Sequence, residues 1–334
     1  LLEAVVLRWV KANPGKTVLI AGLAISPFIL LPFMSLVTFL TILDPQAFDA
    51  VANMPLPGDW NGPVAVKPGV IPAKYLPDLQ HAAMAERVPL QLLAGEAETE
   101  SGFRPDATNY APGTHAAGMF QFEPASWSGW ANPYSNNSTF DTNPSRIKQY
   151  GGYGVDANGD GSASPFDPAD AAMAAATYLR QLYNQYGHRW SLACFWYGSE
   201  TQAYVNTVFG YTEGFIATTP PQKAGNGYWF LGGTNSKLSQ NNGNNITLSA
   251  PAWDPIIAPV DGTLSIQYGS SGDSISLDTG AGTLKFSGGV VAWTNNGSDV
   301  KAGSVIGFTT GNINVTGPQN PLQMLGISTP KWAQ

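Results

Sequence analysis

The sequence predicts a multidomain chain with three kinds of structure: an apolar N-terminal span, an α-helical domain and a C-terminal all-β domain. Three observations carry this reading. Residues 17–43 contain no charged residue and no histidine. Between 73 and 218 apolar positions recur at helical spacing, and from 248 onward short alternating runs are split by Gly, Asn and Asp. In order, the chain reads as a cytoplasmic segment 1–16, a transmembrane helix 17–43, a Pro/Gly-rich tether 44–72, a helical domain 73–218, a linker 219–247 and a β domain 248–334.

The first span, TVLIAGLAISPFILLPFMSLVTFLTIL, has 27 residues. As a helix it would be about 40 Å long, against a bilayer core of about 30 Å. Pro27 and Pro32 would kink it, which membrane helices tolerate. The run is too long for a core helix and lacks the small-residue site of a cleaved signal peptide. Arg8, Lys11 and Lys16 precede it, and Asp44, Asp49 and Asp59 follow it before the next basic residue. That asymmetry predicts a single-pass protein with its N-terminus in the cytoplasm and everything after residue 44 outside.

The tether is marked by MPLPGDWNGPVAVKPGVIP. In the helical domain, LPDLQHAAMAERV and PLQLLAGEAETES show helical periodicity. DPADAAMAAATYLRQLYNQYG reads as a long helix with Asp167 as N-cap, Pro168 at the first helical position and closure at Gly187. The linker ends in the low-complexity run SQNNGNN. Strands follow in DGTLSIQYG, DSISLDTG, GTLKFSGG, VVAWTNNG and SVIGF.

Composition narrows the function. Only 12% of the 334 residues are charged and the net charge is -7, which argues against nucleic acid as a partner, since phosphate binding needs clustered Lys and Arg. A single cysteine, Cys194, excludes an intrachain disulfide and a Cys-rich zinc module, and its apolar flanks predict a small buried hydrophobe. The three histidines, His81, His115 and His188, all precede residue 190, so the β domain holds no histidine-ligated metal. They read as surface or capping residues.

The sharpest local signal is Leu92–Phe103, LLAGEAETESGF. Glu100 lies two turns after Leu93 on one helix face, and the helix must end near Gly102. A carboxylate in that last turn, on an apolar face, is poorly solvated and feels the negative end of the helix dipole, so its pKa should rise. A protonated acid at neutral pH is what glycosidic cleavage needs. Alone, the three closely spaced acids Glu96, Glu98 and Glu100 read rather as a solvated acidic face.

The context decides between these. After ESGFRPDATN come AAGMFQFEPASW (116–127) and FWYGSETQAYVNTVFGY (195–211). This ordered set resembles the lytic transglycosylases with the goose-lysozyme-like fold, over roughly residues 73–215. By that resemblance Glu100 matches the catalytic acid and Ser101 the serine beside it. Gly118, Met119, Phe120, Gln121 and Phe122 match the second, substrate-binding motif, whose Gln hydrogen-bonds saccharide. Tyr197 matches the tyrosine that hydrogen-bonds the acid. The chain departs from the pattern at Gly198, where the third motif has Asn. It departs again at Glu96, where an apolar residue is usual and from where a carboxyl can tune Glu100 or turn aside into solvent. The resemblance implies cleavage between N-acetylmuramic acid and N-acetylglucosamine of peptidoglycan by one carboxyl, with a 1,6-anhydro product and no cofactor. Hydrolysis as in a muramidase, or a non-catalytic scaffold gripping the wall, are the alternatives. Asp106 and Glu123 are the nearest candidates for a second acid, and read more simply as a loop cap and a helix start.

Further readings concern metals and ligands. In DANGDGSASPFD, Asp156, Asn158, Asp160, Ser162 and Asp167 fall at the spacing of a calcium loop, with Gly161 at the sharp turn, and predict a structural Ca²⁺. Trp127, Trp130, Tyr134, Tyr150 and Tyr153 are candidates to floor a sugar cleft. In the β domain, PIIAPVDGTL (255–264) and DVKAGSVIGF (299–308) resemble the lysostaphin-like M23 zinc endopeptidases. That family's zinc ligands do not carry over: Gly243 and Thr247 stand near the His and Asp places, and zinc is not expected. Expected partners are therefore peptidoglycan, the lipid bilayer through 17–43, and components of a conjugative secretion machine or a phage entry device, with a phage virion membrane or tail as the alternative location.

Overall fold

A computed structural model describes residues 66–67, 69–110, 114–198, 200–216, 221–232 and 236–334. The 17–43 span lies outside them; among the described residues no helix is long and apolar enough to cross a membrane. Asp49–Gln334 forms one compact unit.

Seven helices build the helical part among the described residues: α1 (Leu76–Glu86), α2 (Leu90–Ser101), α3 (Pro124–Ser128), α4 (Pro144–Gln149), α5 (Pro168–Gln185), α6 (Trp190–Tyr197) and α7 (Gln202–Phe215). The predicted punctuation holds. Helix α2 stops at Gly102, whose φ of 63° is left-handed, and Asp167 caps α5 by accepting from the Ala169 and Asp170 amides, a bond worth about 1 kcal/mol. Helix α2 is buried continuously from Leu90 to Ala97, so it is the central helix. Helix α7 crosses it very closely at Gly95: a Cβ there would meet Thr212 Oγ1 at 2.6 Å and the Val208 carbonyl at 2.9 Å. Near α4, the Arg146 guanidinium pairs with Asp141 at 2.5 Å and holds its carboxyl well below the usual carboxylate range. Asn132 and Ser128 complete that buried network.

The end of the stretch read as a tether is packed against this body. Val66 bridges to Ile216, the Lys67 amide donates to the Phe215 carbonyl at 2.6 Å, and Ile71 is buried.

The C-terminal part is an eight-stranded sheet, all of it antiparallel: β1 (Lys237–Asn242), β2 (Asn245–Ser249), β3 (Pro255–Ile257), β4 (Gly262–Gln267), β5 (Ser274–Thr279), β6 (Gly282–Ala292), β7 (Asp299–Val300) and β8 (Val305–Thr316). The order is β7-β4-β5-β6-β8-β2-β1, with β3 also pairing β8. Alternate residues such as Leu264, Ile266, Ile275, Leu277, Leu284 and Phe286 enter one core. A short helix α8 (Pro321–Leu325) caps one end of it.

Much of the segment read as linker 219–247 belongs to this sheet. Trp229, Phe230 and Leu231 are fully buried in its core, and the polar run SQNNGNN is the edge hairpin β1–β2, turning at Gly243 with φ 61°. An exposed edge strand needs no apolar alternation, so the run carried no strand pattern.

The helical and β parts share an interface. Trp190 Nε1 donates to the Ala292 carbonyl at 3.0 Å, and Gln91 Nε2 to the Trp253 carbonyl at 3.3 Å. Phe209 stacks on Trp293 with ring centres 5.4 Å apart, and His188 on Tyr268 at 3.9 Å. His188 is therefore an interface residue rather than a simple surface one.

Candidate active site

The close crossing of α2 and α7 creates the site. Thr201 caps α7 by accepting from the Tyr204 amide, which places Tyr204 in the first turn, on the face that continues through Val208 and Thr212 toward α2. Its hydroxyl lies 2.5 Å from Glu96 Oε2 and also hydrogen-bonds Glu100 Oε1. Gly198, at the end of α6, leaves the space that the tyrosine ring fills: a Cβ there would sit 2.2 Å from Tyr204 Cζ.

Opposite this crossing, a tight loop forms the other wall. Ala117 and Phe122 exchange backbone hydrogen bonds at 2.9 and 3.0 Å. Gly118 takes φ 80°, and a Cβ on it would meet the Pro165 carbonyl oxygen at 1.7 Å. Between the walls lies a cleft of about 430 Å³, open to solvent and lined among others by Glu100, Asn109, Gln121, Phe122, Glu123, Tyr178, Tyr197 and Tyr204.

Both carboxyls sit in an environment that favours the acid form. Burial lifts Glu100 to about 7 against the opposing hydrogen bond from Tyr204. Glu96 is fully buried, and burial lifts it to about 8, again against the Tyr204 bond, with the Glu100 charge adding to the rise. Burial and the two acids push Tyr204 well above its ordinary value, so it remains a hydroxyl.

Residues 79–206 match the family described as "Transglycosylase SLT domain". The helical domain is similar to that family over these residues. No match was found among curated proteins. A crystal structure described as a peptidase M23 from Pseudomonas aeruginosa is 22% identical, over 32% of this chain and 50% of that one, with a TM-score of 0.25. The chain thus spans half the length of that structure, and the superposition is too loose to assign the β domain a fold by itself.

Within the helical domain the predicted residues divide. Glu100, Gln121, Phe122 and Tyr197 come together at the cleft. Ser101 does not reach it: it is buried, and its Oγ donates to the Met119 carbonyl at 2.8 Å and accepts from the Arg104 amide. Ser101 and Met119, itself fully buried, join α2 to the loop rather than bind substrate. Gly118 serves the loop's close approach to Pro165. Gln121 spends both amide hydrogens on the Gly118 and Ala107 carbonyls, at 2.8 and 3.2 Å, leaving Oε1 for a ligand.

The tyrosine that bonds the acid is Tyr204. Tyr197 instead donates to the Phe120 carbonyl at 3.2 Å and packs edge-on against Phe122. Glu96 is buried beside Glu100 and does not turn into solvent. Trp127 is a core residue and Trp130 and Tyr134 are exposed outside the cleft lining. The aromatic floor comes from Tyr178 and Tyr197, continued by Tyr153, whose ring lies tilted against Tyr178 at 4.4 Å. The departure at Gly198 is explained by the Tyr204 ring. Gly198→Ala should displace that ring and lower turnover by about 10- to 100-fold, by loss of a hydrogen bond to an ionising group. Unchanged turnover in that variant would mean the ring tolerates the shift.

The 156–167 loop closes on its own backbone. Asp156 accepts from the Gly159, Asp160 and Gly161 amides, Asp160 accepts from the Ser162 amide, and Asn158 donates to Asp167. Among the described residues no group of three His, Cys, Asp or Glu is placed to hold a metal ion. Asn158 Nδ2 also reaches Asp160 Oδ2 at 3.4 Å, so Asp156, Asn158, Asp160 and Asp167 stand beside one another in this loop. In the β domain Gly243 is a turn residue, and Thr247 donates to Asn314 Oδ1 at 2.8 Å.

Proposed function

We propose that this chain is a membrane-anchored lytic transglycosylase of peptidoglycan. The observation that supports it most is Glu100: a carboxyl at an open cleft, raised toward neutrality by burial and held by a tyrosine hydroxyl. In this reading Glu100 gives its proton to the glycosidic oxygen between N-acetylmuramic acid and N-acetylglucosamine as that bond breaks. The substrate's own N-acetyl group stabilises the cation left at the anomeric carbon. The Glu100 carboxylate, steadied by the Tyr204 O–H, then takes the proton of the sugar's 6-hydroxyl, whose oxygen closes on the anomeric carbon. Glu100 ends as it began, and the product is a 1,6-anhydro sugar formed without water. Tyr178 and Tyr197 offer ring surface to the sugars, and Gln121 Oε1 an acceptor.

Mass spectrometry of digested peptidoglycan tests this: the expected muropeptides are one water lighter than those of a hydrolase. Fully hydrated products would instead establish a muramidase. That second reading has Glu123 in its favour, an exposed carboxyl lining the same cleft.

The same proposal places residues 17–43 in the bilayer, the N-terminus in the cytoplasm and the two folded parts at the wall, where they open it for a conjugative secretion machine or a phage entry device. The β domain is read as a lysostaphin-like module that has lost its zinc site. Protease accessibility of the C-terminal part from the cytoplasmic side would overturn that topology.

A further inference from the structure

We infer that Glu96 is a positioning residue for Glu100: a buried carboxylic acid that donates to the Tyr204 hydroxyl oxygen and so commits the tyrosine's single proton to Glu100. This rests on the acid–base role proposed for Glu100 and adds a partner to it.

The argument is one of counting protons. A tyrosine hydroxyl has one hydrogen to give and an oxygen that can accept. Here that hydroxyl lies within hydrogen-bond distance of two carboxyls at once, Glu96 Oε2 at 2.5 Å and Glu100 Oε1. Were both carboxyls ionised, one of the two contacts would set oxygen lone pairs against each other. One carboxyl must therefore bring a proton of its own to the hydroxyl.

Position decides which one. Glu96 is wholly enclosed. The titratable groups facing it are Tyr204 from α7, Cys194 and Tyr197 from α6, and Glu100 from its own helix. None of them is a cation, the Cys194 thiol is only a weak donor to the carboxyl, and Glu96 Oε1 makes no regular hydrogen bond. A buried carboxylate without a cation or a full set of donors is costly, so the proton rests on Glu96. The chain then runs from the Glu96 O–H to Tyr204 Oη, and from the Tyr204 O–H to Glu100 Oε1. The tyrosine cannot turn its hydrogen back toward Glu96, because that side is already a donor. Glu100 Oε2 is left to carry the proton that the substrate takes and returns. Glu96 neither gains nor loses a proton in the cycle; it fixes the direction of the bond that steadies Glu100 when it is charged.

The test uses the full chain acting on soluble, uncrosslinked glycan strands, with Glu96→Gln and Glu96→Leu compared against wild type. The glutamine amide donates to Tyr204 as the acid does, so kcat should fall by less than about threefold, whereas leucine, which cannot donate, should lower kcat by about 10- to 100-fold with KM little changed. The alkaline limb of the kcat profile provides a readout that survives a folding defect in the leucine variant. In wild type both carboxyls must be protonated, so activity should fall with the second power of the proton concentration well above neutrality. In Glu96→Gln it should fall with the first power. A glutamine variant as impaired as the leucine one would show that a proton must leave Glu96, and the inference fails. It fails equally if leucine matches wild type, or if the wild-type limb follows the first power. Glu100→Gln separates the two readings: if it is inactive while the Glu96 variants behave as wild type, only the inference about Glu96 is lost.

Discussion

Glu100→Gln should lower kcat by about 10²- to 10⁴-fold, the usual share of a general acid–base group, with little change in KM. The amide keeps the shape of the side chain and can still accept from Tyr204, but it has no proton to give the glycosidic oxygen and no basicity to take one from the 6-hydroxyl. Wild-type activity should also fall as pH rises above about 7, where the raised Glu100 carboxyl loses its proton. Stability follows the same sign. A carboxyl whose folded pKa lies above its unfolded value binds its proton more tightly when folded. The stability it contributes is complete below the unfolded pKa and is lost as pH rises through the folded one. At pH 8 wild type therefore carries the cost of a poorly solvated charge that the amide avoids. The variant should melt at or above the wild-type temperature there, as followed by circular dichroism. An inactive variant that is no less stable is a chemical defect; one that clears peptidoglycan at the wild-type rate would remove Glu100 from the mechanism.

The acid itself was legible because its segment carries its own punctuation: Leu92–Phe103 ends at a glycine, which fixes the helix end and puts Glu100 in the last turn. Its partner was harder to read, since Tyr197 and Tyr204 lie in one aromatic run and α6 ends between them. The useful signal was Thr201. As an N-cap it starts a new helix, which puts Tyr204 in the first turn and on the same face as Val208 and Thr212. What sequence did not convey was the crossing partner, because nothing local says that Thr212 meets Gly95. The burial of Glu96 follows from that same crossing. It ran against the reading that a charged residue among three acids faces water, a reading that is right whenever no other helix covers the face. The β domain was legible where strands alternate and illegible at its edge, where Trp229–Leu231 is too short to show a period and β1 has Leu238 as its one apolar residue.

Trp190→Ala should lower stability by about 3–5 kcal/mol, the range for emptying a buried large aromatic site. Trp190 is 1% exposed, stacks on Tyr183 of α5 at 3.9 Å, and donates to the Ala292 carbonyl of β6. The substitution thus opens a cavity in the helical part and leaves a strand carbonyl of the other part without its partner. Helix α6 also carries Cys194, which faces Glu96, and Tyr197, which holds the Phe120 carbonyl at the cleft wall. Loosening its first turn reaches the site through those two residues. Because the two parts are joined through Trp190, Gln91, Phe209 and His188, calorimetry of wild type should give a single transition, and the variant should separate the helical and β parts into two. Tyr134→Ala, at an exposed ring far from that interface in sequence, should leave the single transition in place. A Trp190→Ala protein that melts as wild type would mean that the two parts are merely adjacent. The expected split would give the histidine-free β domain a physical task, that of bracing the helices which carry Glu96, Tyr197 and Glu100.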